Sequence, residues 1–241
     1  MAVSAGILVL QHIGCEPPAA YEDELLDRGV PFHRVRLDEG EELPSHGGFA
    51  GIVVMGGPMG TYDEDSHPWL ASEKRFIASA VRAGRPYWGV CLGAQLLAAS
   101  LDATVTAGPR AEVGVGPVEL TDGAATDPVF ASAPVRFQAL HWHGDTYELP
   151  AGAVRLAGSA QYEQQAFVFK RAYALQFHLE VTPALAREWI GVPAYRRSLE
   201  QVMDTGGGSL LLEDLARASS ESISLARRLF GRWLELVVNL P

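Results

Sequence analysis

The stretch from Tyr87 to Leu101 restricts the fold more than any other part of the chain. Tyr87 to Val90 reads as a short buried strand, and Gly93 to Leu101 as a helix rich in Ala and Leu. Gly89-Val90-Cys91-Leu92-Gly93 joins them and leaves no room for a loop. A strand that passes so abruptly into a helix belongs to a layered α/β fold. The glycines relieve crowding in the turn and the apical side chain is pushed outward, the geometry of a nucleophile elbow. Cys91 holds the apex. The positive end of the following helix favours thiolate over thiol, and the Leu92 N–H is placed to meet an oxyanion beside the sulfur. An isolated free cysteine is more often a buried apolar filler, and it is the flanking glycines that argue otherwise.

The remaining pattern agrees with this start. Ile7 to Leu10, Phe32 to Leu37 and Gly51 to Met55 read as strands, and Tyr21 to Arg28 and Pro68 to Ala83 as helices. That order predicts a mostly parallel sheet with helices on both faces. Val113 to Leu120, Val135 to Leu140, Val154 to Ser159 and Gln165 to Phe169 look like short strands joined by turns, a small antiparallel excursion beside the main sheet. Tyr173 to Gln176 is another buried strand, and Pro183 to Ile190 a helix with Thr182 as its N-cap. Beyond Gly191 the texture changes. Gly206-Gly207-Gly208 reads as a flexible joint, followed by helices over Leu210 to Ala218 and Ile223 to Val238. The apolar stripe Leu225, Leu229, Trp233 and Leu236 is expected to fold back on the sheet domain. The expected organisation is one domain over residues 1–190 and a C-terminal helical extension over 191–241.

Composition narrows the function. Asp plus Glu is 29 against 19 Lys plus Arg, a net charge of -10. Such a balance disfavours nucleic acid or an anionic membrane as partner, since both need clustered cations. Two cysteines, Cys15 and Cys91, make no disulfide framework and suit a reducing compartment. No apolar run reaches the roughly 18 residues of a membrane span. The apolar start, Gly6 to Leu10, lacks a preceding basic region, so a mature cytoplasmic N-terminus is expected.

A thiolate nucleophile needs a base and a group that orients it. His178 and Glu180, two apart on an extended segment after a strand, point to one side and suit those roles; a solvated pair at a strand end is the bland alternative. Gly56-Gly57-Pro58-Met59-Gly60 lacks the Gly-Lys-Ser/Thr of a phosphate loop. It reads either as a plain tight turn or as backbone able to approach a substrate oxygen. Gln95 lies one helical turn after Cys91 and reaches the same pocket, unless it is a satisfied interior amide. His141-Trp142-His143-Gly144-Asp145 follows a strand. Its two histidines, with His178 and Glu180, form a competing zinc set, disfavoured because the cysteine reading already employs His178. Cys15 is given no chemical role.

Three motifs together resemble the class I (triad) glutamine amidotransferases. They are Gly56-Gly57-Pro58, Gly89-Val90-Cys91-Leu92-Gly93-Ala94-Gln95 and Gln176-Phe177-His178-Leu179-Glu180. Their order and spacing match over Ile7 to Ile190, above all the amidotransferase domain of GMP synthase and its stand-alone relatives. The resemblance implies a flavodoxin-like α/β sandwich and hydrolysis of the glutamine side-chain amide to glutamate and ammonia through a glutamyl thioester. It makes Cys91 the nucleophile, His178 the base and then acid, and Glu180 the orienter. Gly57 and Leu92 become oxyanion donors, and Gln95, Trp142, His143, Gly144 and Asp145 the glutamine-binding residues. It implies catalysis without metal or organic cofactor, surviving strong chelation. The implied partners are glutamine or a γ-glutamyl compound, and a synthetase or other acceptor enzyme for the ammonia. Two alternatives stand beside this reading: a γ-glutamyl peptidase using the same thioester, and a non-enzymatic binding or regulatory subunit. The sequence departs from the family pattern at Leu179, where proline is common. No ATP-pyrophosphatase domain follows within the 241 residues, so the full GMP synthase reaction is not expected of this chain.

Overall fold

A computed structural model of the chain describes residues 6–204 and 206–238. The extreme N-terminus, residue 205 and residues 239–241, which fall within the expected mature start and the expected tail, lie outside the described residues. Strands β1 (Ile7–Gln11), β2 (Phe32–Arg36), β3 (Gly51–Val54), β4 (Tyr87–Val90), β5 (Val105–Leu120), β6 (Arg136–Tyr147), β7 (Val154–Gly158), β8 (Ala166–Phe169) and β9 (Ala172–Leu175) form one sheet. Its order is β2-β1-β3-β4-β9-β8-β7-β5-β6. The run from β2 to β9 is parallel and the rest antiparallel. The helices are α1 (Ala20–Asp27), α2 (Trp69–Arg82), α3 (Leu92–Ser100), α4 (Asp122–Ala125), α5 (Pro183–Gly191), α6 (Pro193–Val202) and α7 (Gly207–Val238). The protein is thus α/β with a large mixed sheet.

The two-residue period of the strands sorts their side chains between two cores. Ile7, Val9, Val53, Trp88 and Val90 face α1 and α7. Leu8, Leu10, Ile52, Val54 and Tyr87 face α2 and α3. Both faces are covered, which is why the central strands read as unbroken apolar runs. A third cluster, Leu140, Trp142, Trp189, Tyr195, Leu199 and Leu211, joins β6 to α5, α6 and the start of α7.

Three expectations change. The antiparallel part is not a small excursion beside the sheet but its continuation through β8, and it contains the two longest strands. β5 begins at Val105 because a register shift between Ala107 and Glu112 absorbs Gly108-Pro109-Arg110, which as sequence reads like a turn. The tail is not two helices after a flexible joint. Gly207 and Gly208 open a single 32-residue helix. Ser219 and Ser222 lie within it with their hydroxyls bonded back to the carbonyls of Ala216 and Ser219. Leu225, Leu229, Phe230, Trp233 and Val237 of this helix lie in the same core as Trp88 and Tyr21, so α7 is one of the layers enclosing the sheet rather than an appendage.

Candidate active site

The chemistry-bearing residues gather where the parallel strands end. Cys91 follows β4 with φ 53° and ψ -107°, a positive φ that non-glycine residues rarely adopt. The turn holds because its neighbours are small. A Cβ on Gly93 would collide with the Val54 carbonyl oxygen, and one on Gly89 would meet the Gly93 carbonyl oxygen at 2.6 Å. The Cys91 N–H donates to the Leu175 carbonyl at 2.8 Å, tying the turn to the end of β9. The sulfur is buried, and its thiol lies 3.9 Å from the Trp142 carbonyl oxygen.

His178 comes three residues after β9, the neighbour of β4. A two-way backbone bridge fixes it to β6: His178 N to Leu140 O at 2.8 Å, and Leu140 N to His178 O at 3.0 Å. Its Nδ1 stands 2.6 Å from Glu180 Oε1, while Glu180 Oε2 accepts the Leu179 N–H at 3.0 Å. With Nδ1 so engaged, Nε2 is the ring nitrogen left for Cys91. Burial opposes charging this imidazole, but the Glu180 carboxylate and the adjacent thiol outweigh it and hold its pKa well above the usual histidine range. Burial pushes the Cys91 thiol up, and His178 pulls it back. On balance the Cys91 thiol stays raised.

A cavity of about 340 Å³ opens beside the sulfur. Gly57, Gln95, Trp142, His143, Gly144 and Asp145 all border it. A Cβ on Gly57 would meet the Leu92 side chain at 3.1 Å. Gln95 donates to Gln176 Oε1 at 3.1 Å from a buried position. His141 to Asp145 do not follow a strand; they are part of β6. Trp142 therefore turns toward α5 and α6, with its Nε1 donating to Ser198 Oγ at 2.9 Å. The His143 ring is turned the other way, with Nε2 3.1 Å from Glu112 Oε2. Burial raises the Asp145 carboxyl, and the nearby Tyr62 hydroxyl opposes this. The disfavoured zinc set is not assembled as expected: His178 is paired with Glu180, while His141 and His143 meet Glu112 instead. Cys15 is half-buried, and burial together with Glu16 raises its thiol to about 11. A larger cavity of about 770 Å³ between Arg136 and the middle of α7 holds none of these reactive groups.

Sequence reasoning missed three residues here. Glu16, after β1, is 2 % exposed and lies against Gly56, with the Tyr195 hydroxyl donating to it. Burial raises its carboxyl to about 7, and Glu180 adds to that while His178 opposes it. Tyr195 and Ser198 bring α6 to the cavity wall. The partners Glu16 and Tyr195 are 179 residues apart, beyond any local motif. The available signal was a carboxylate at the end of a parallel strand, where such sheets gather their sites.

An elbow cysteine, a carboxylate-held imidazole and an adjoining cavity define a thiol-centred site on an α/β sheet. Known proteins make the class specific. The family described as Glutamine amidotransferase class-I matches residues 19–190. The glutamine amidotransferase-like protein YfeJ of Salmonella typhimurium is 33% identical over 176 residues, 71% of this chain and 74% of that protein. The glutamine-hydrolyzing GMP synthase of Thermomicrobium roseum is 38% identical over 132 residues, 54% of this chain but only 23% of that enzyme. Among solved structures, a glutamine amidotransferase from Thermotoga maritima superimposes with a TM-score of 0.86 at 33% identity, over 98% of this chain and 99% of that one. A glutamine amidotransferase from Methylobacillus flagellatus gives 0.85 at 26% identity, over 96% and 94%. The chain belongs to the class I glutamine amidotransferase family, whose members in general hydrolyse the glutamine amide and transfer its ammonia. Among the described residues no helix is long and apolar enough to cross a membrane.

Proposed function

We propose that this chain hydrolyses the side-chain amide of glutamine to glutamate and ammonia, with Cys91 as nucleophile, His178 as base and then acid, and Glu180 as orienter. The observation that carries this reading is the elbow sulfur beside a buried imidazole whose Nδ1 is 2.6 Å from Glu180. His178 accepts the thiol proton as the sulfur attacks the amide carbon. The tetrahedral oxyanion is met by the N–H groups of Gly57 and Leu92. The imidazolium then protonates the departing ammonia and leaves a γ-glutamyl thioester. Water, deprotonated by the same imidazole, releases glutamate and restores the thiol. Gln95, Trp142, His143, Gly144 and Asp145 form the wall that receives the amino-acid end of glutamine, His143 through its backbone.

We also read the parallel order β2-β1-β3-β4-β9 as a flavodoxin-like sandwich. Residues 1–190 carry the chemistry, and 191–241 complete a core layer and the cavity wall. A free nucleophilic thiol suits the reducing cytoplasm, and the ammonia passes to a synthetase or other acceptor enzyme. The test is release of glutamate and ammonia from glutamine, with γ-glutamyl dipeptides assayed in parallel. Turnover of glutamine with the dipeptides inert supports an amidotransferase. Preference for the dipeptides assigns the same thioester to a γ-glutamyl peptidase, and inertness toward both assigns the chain to a binding role.

A further inference from the structure

Glu112, His141 and His143 form a cluster that the thiol chemistry does not use. His141 and His143 alternate on β6 and so face one side of the sheet, and Glu112 is the cross-strand partner of His143 on β5. One donor atom from each lies within 4.8 Å of the others. Glu112 Oε2 stands 3.1 Å from His143 Nε2 and 3.3 Å from His141 Nδ1. Ligand atoms around a tetrahedral zinc, each about 2.0–2.1 Å from the ion, are separated by about 3.3 Å.

Without a cation the hydrogen bonding at this cluster is incomplete. His143 Nδ1 lies 2.9 Å from the Asp145 carbonyl, which can only accept, so Nδ1 carries the proton. In the neutral ring that leaves the Nε2 lone pair aimed at a carboxylate oxygen. His141 is 2 % exposed, and neither of its ring nitrogens has a hydrogen-bond partner. A buried polar group left unpaired is costly. The surroundings supply what metal ligands ordinarily have behind them: a backbone carbonyl on the far nitrogen of His143, and donors to the carboxylate from Ser159 Oγ at 2.8 Å and Gln165 Nε2 at 2.6 Å. The Gln165 Oε1 is itself buried without a partner.

We propose that Glu112, His141 and His143 bind a divalent transition-metal ion of the zinc class. Two imidazoles and one carboxylate select that class over magnesium or calcium, which prefer all-oxygen sites. The ion sits apart from the sulfur and takes no part in breaking the amide bond. It clamps β5 to β6, the strand whose Trp142 carbonyl faces Cys91 and whose Gly144 and Asp145 border the cavity. This assignment is independent of which amide the sulfur attacks.

The test is titration of the metal-free full-length chain with Zn²⁺ alone, followed by calorimetry and by displacement from a chromophoric chelator. One equivalent bound, with a rise in thermal midpoint, is expected. Co²⁺ in its place is expected to give the visible d–d bands of a four- or five-coordinate nitrogen–oxygen site. His141→Ala and, separately, Glu112→Gln are expected to weaken binding on the order of 100-fold or more. Circular dichroism of each variant separates loss of the site from loss of the fold, and the Co²⁺ spectrum of the unaltered chain needs no variant at all. No stoichiometric binding by the unaltered chain, or Co²⁺ with only the pale spectrum of the hexaaquo ion, overturns the proposal. So does folded His141→Ala protein that binds Zn²⁺ as tightly as the unaltered chain.

Discussion

Glu16→Gln isolates the energetic consequence of a carboxyl buried beside the site. Burial, with the charge of Glu180, lifts this group from an ordinary value of 4.5 to about 7. In the unfolded chain it ionises near the ordinary value. A carboxyl raised on folding favours the folded state fully below the unfolded pKa, and that advantage is lost as pH rises through the folded pKa. The window for Glu16 is therefore pH 4.5 to about 7. At 1.36 kcal/mol per unit, the 2.5 units between the two values correspond to about 3 kcal/mol. Gln cannot ionise and keeps an oxygen that can accept from Tyr195. The stability of Glu16→Gln relative to the unaltered protein is thus expected to improve by about 2.5 kcal/mol between pH 5 and pH 8, the rest of the change lying below pH 5. Urea denaturation at half-unit steps from pH 5 to 8.5 reads this directly, and the slope rather than the offset is the signal, since the offset includes any altered packing. A flat difference across that range would refute the reasoning. The same carboxylate raises the Cys91 thiol, so alkylation of Cys91 in Glu16→Gln should show its inflection at lower pH.

Further outcomes follow from the same geometry. Glu180→Gln removes the main group that raises His178, so kcat for glutamine should fall on the order of 10²–10⁴ with KM little changed. A Glu180→Gln enzyme with unaltered kcat would remove Glu180 from the mechanism. Trp233→Ala empties a fully buried site that stacks on Phe230 at 5.1 Å, and urea denaturation should show a loss of about 3–5 kcal/mol. Truncation before Gly207 strips the layer that covers Trp88 and Tyr21 and should yield aggregating protein. A soluble, monomeric truncated chain by size-exclusion chromatography would show that α7 is dispensable.

The legible parts of the molecule are those encoded locally. Cys91 stands out because a strand, two glycines and a helix meet within a few residues, and His178 and Glu180 because they lie two apart on an extended segment. The central strands are legible because burial on both faces leaves continuous apolar runs such as Ile7 to Leu10. What escaped depends on distant partners. The first half of β5 is concealed by a Gly-Pro pair that a register shift accommodates only because β6 lies alongside. The continuity of α7 comes from its packing on the sheet, which outweighs the weak helix preference of its serines. The orientation of the His143 ring depends on Glu112, 31 residues away, and the burial of Glu16 on Tyr195. Neither pairing leaves a mark in the local pattern.

The thiol-centred mechanism is tested most directly by covalent capture. The protein is treated with a glutamine analogue bearing an electrophile at the amide position, and the adduct is mapped by mass spectrometry while glutamate release from glutamine is followed. A single adduct on Cys91 is predicted, with activity lost in proportion. Cys91→Ala should be inactive and unlabelled, and Cys15→Ala should keep nearly full activity. Equal labelling of Cys15 and Cys91, or a Cys91→Ala protein that still turns over glutamine, would contradict the account.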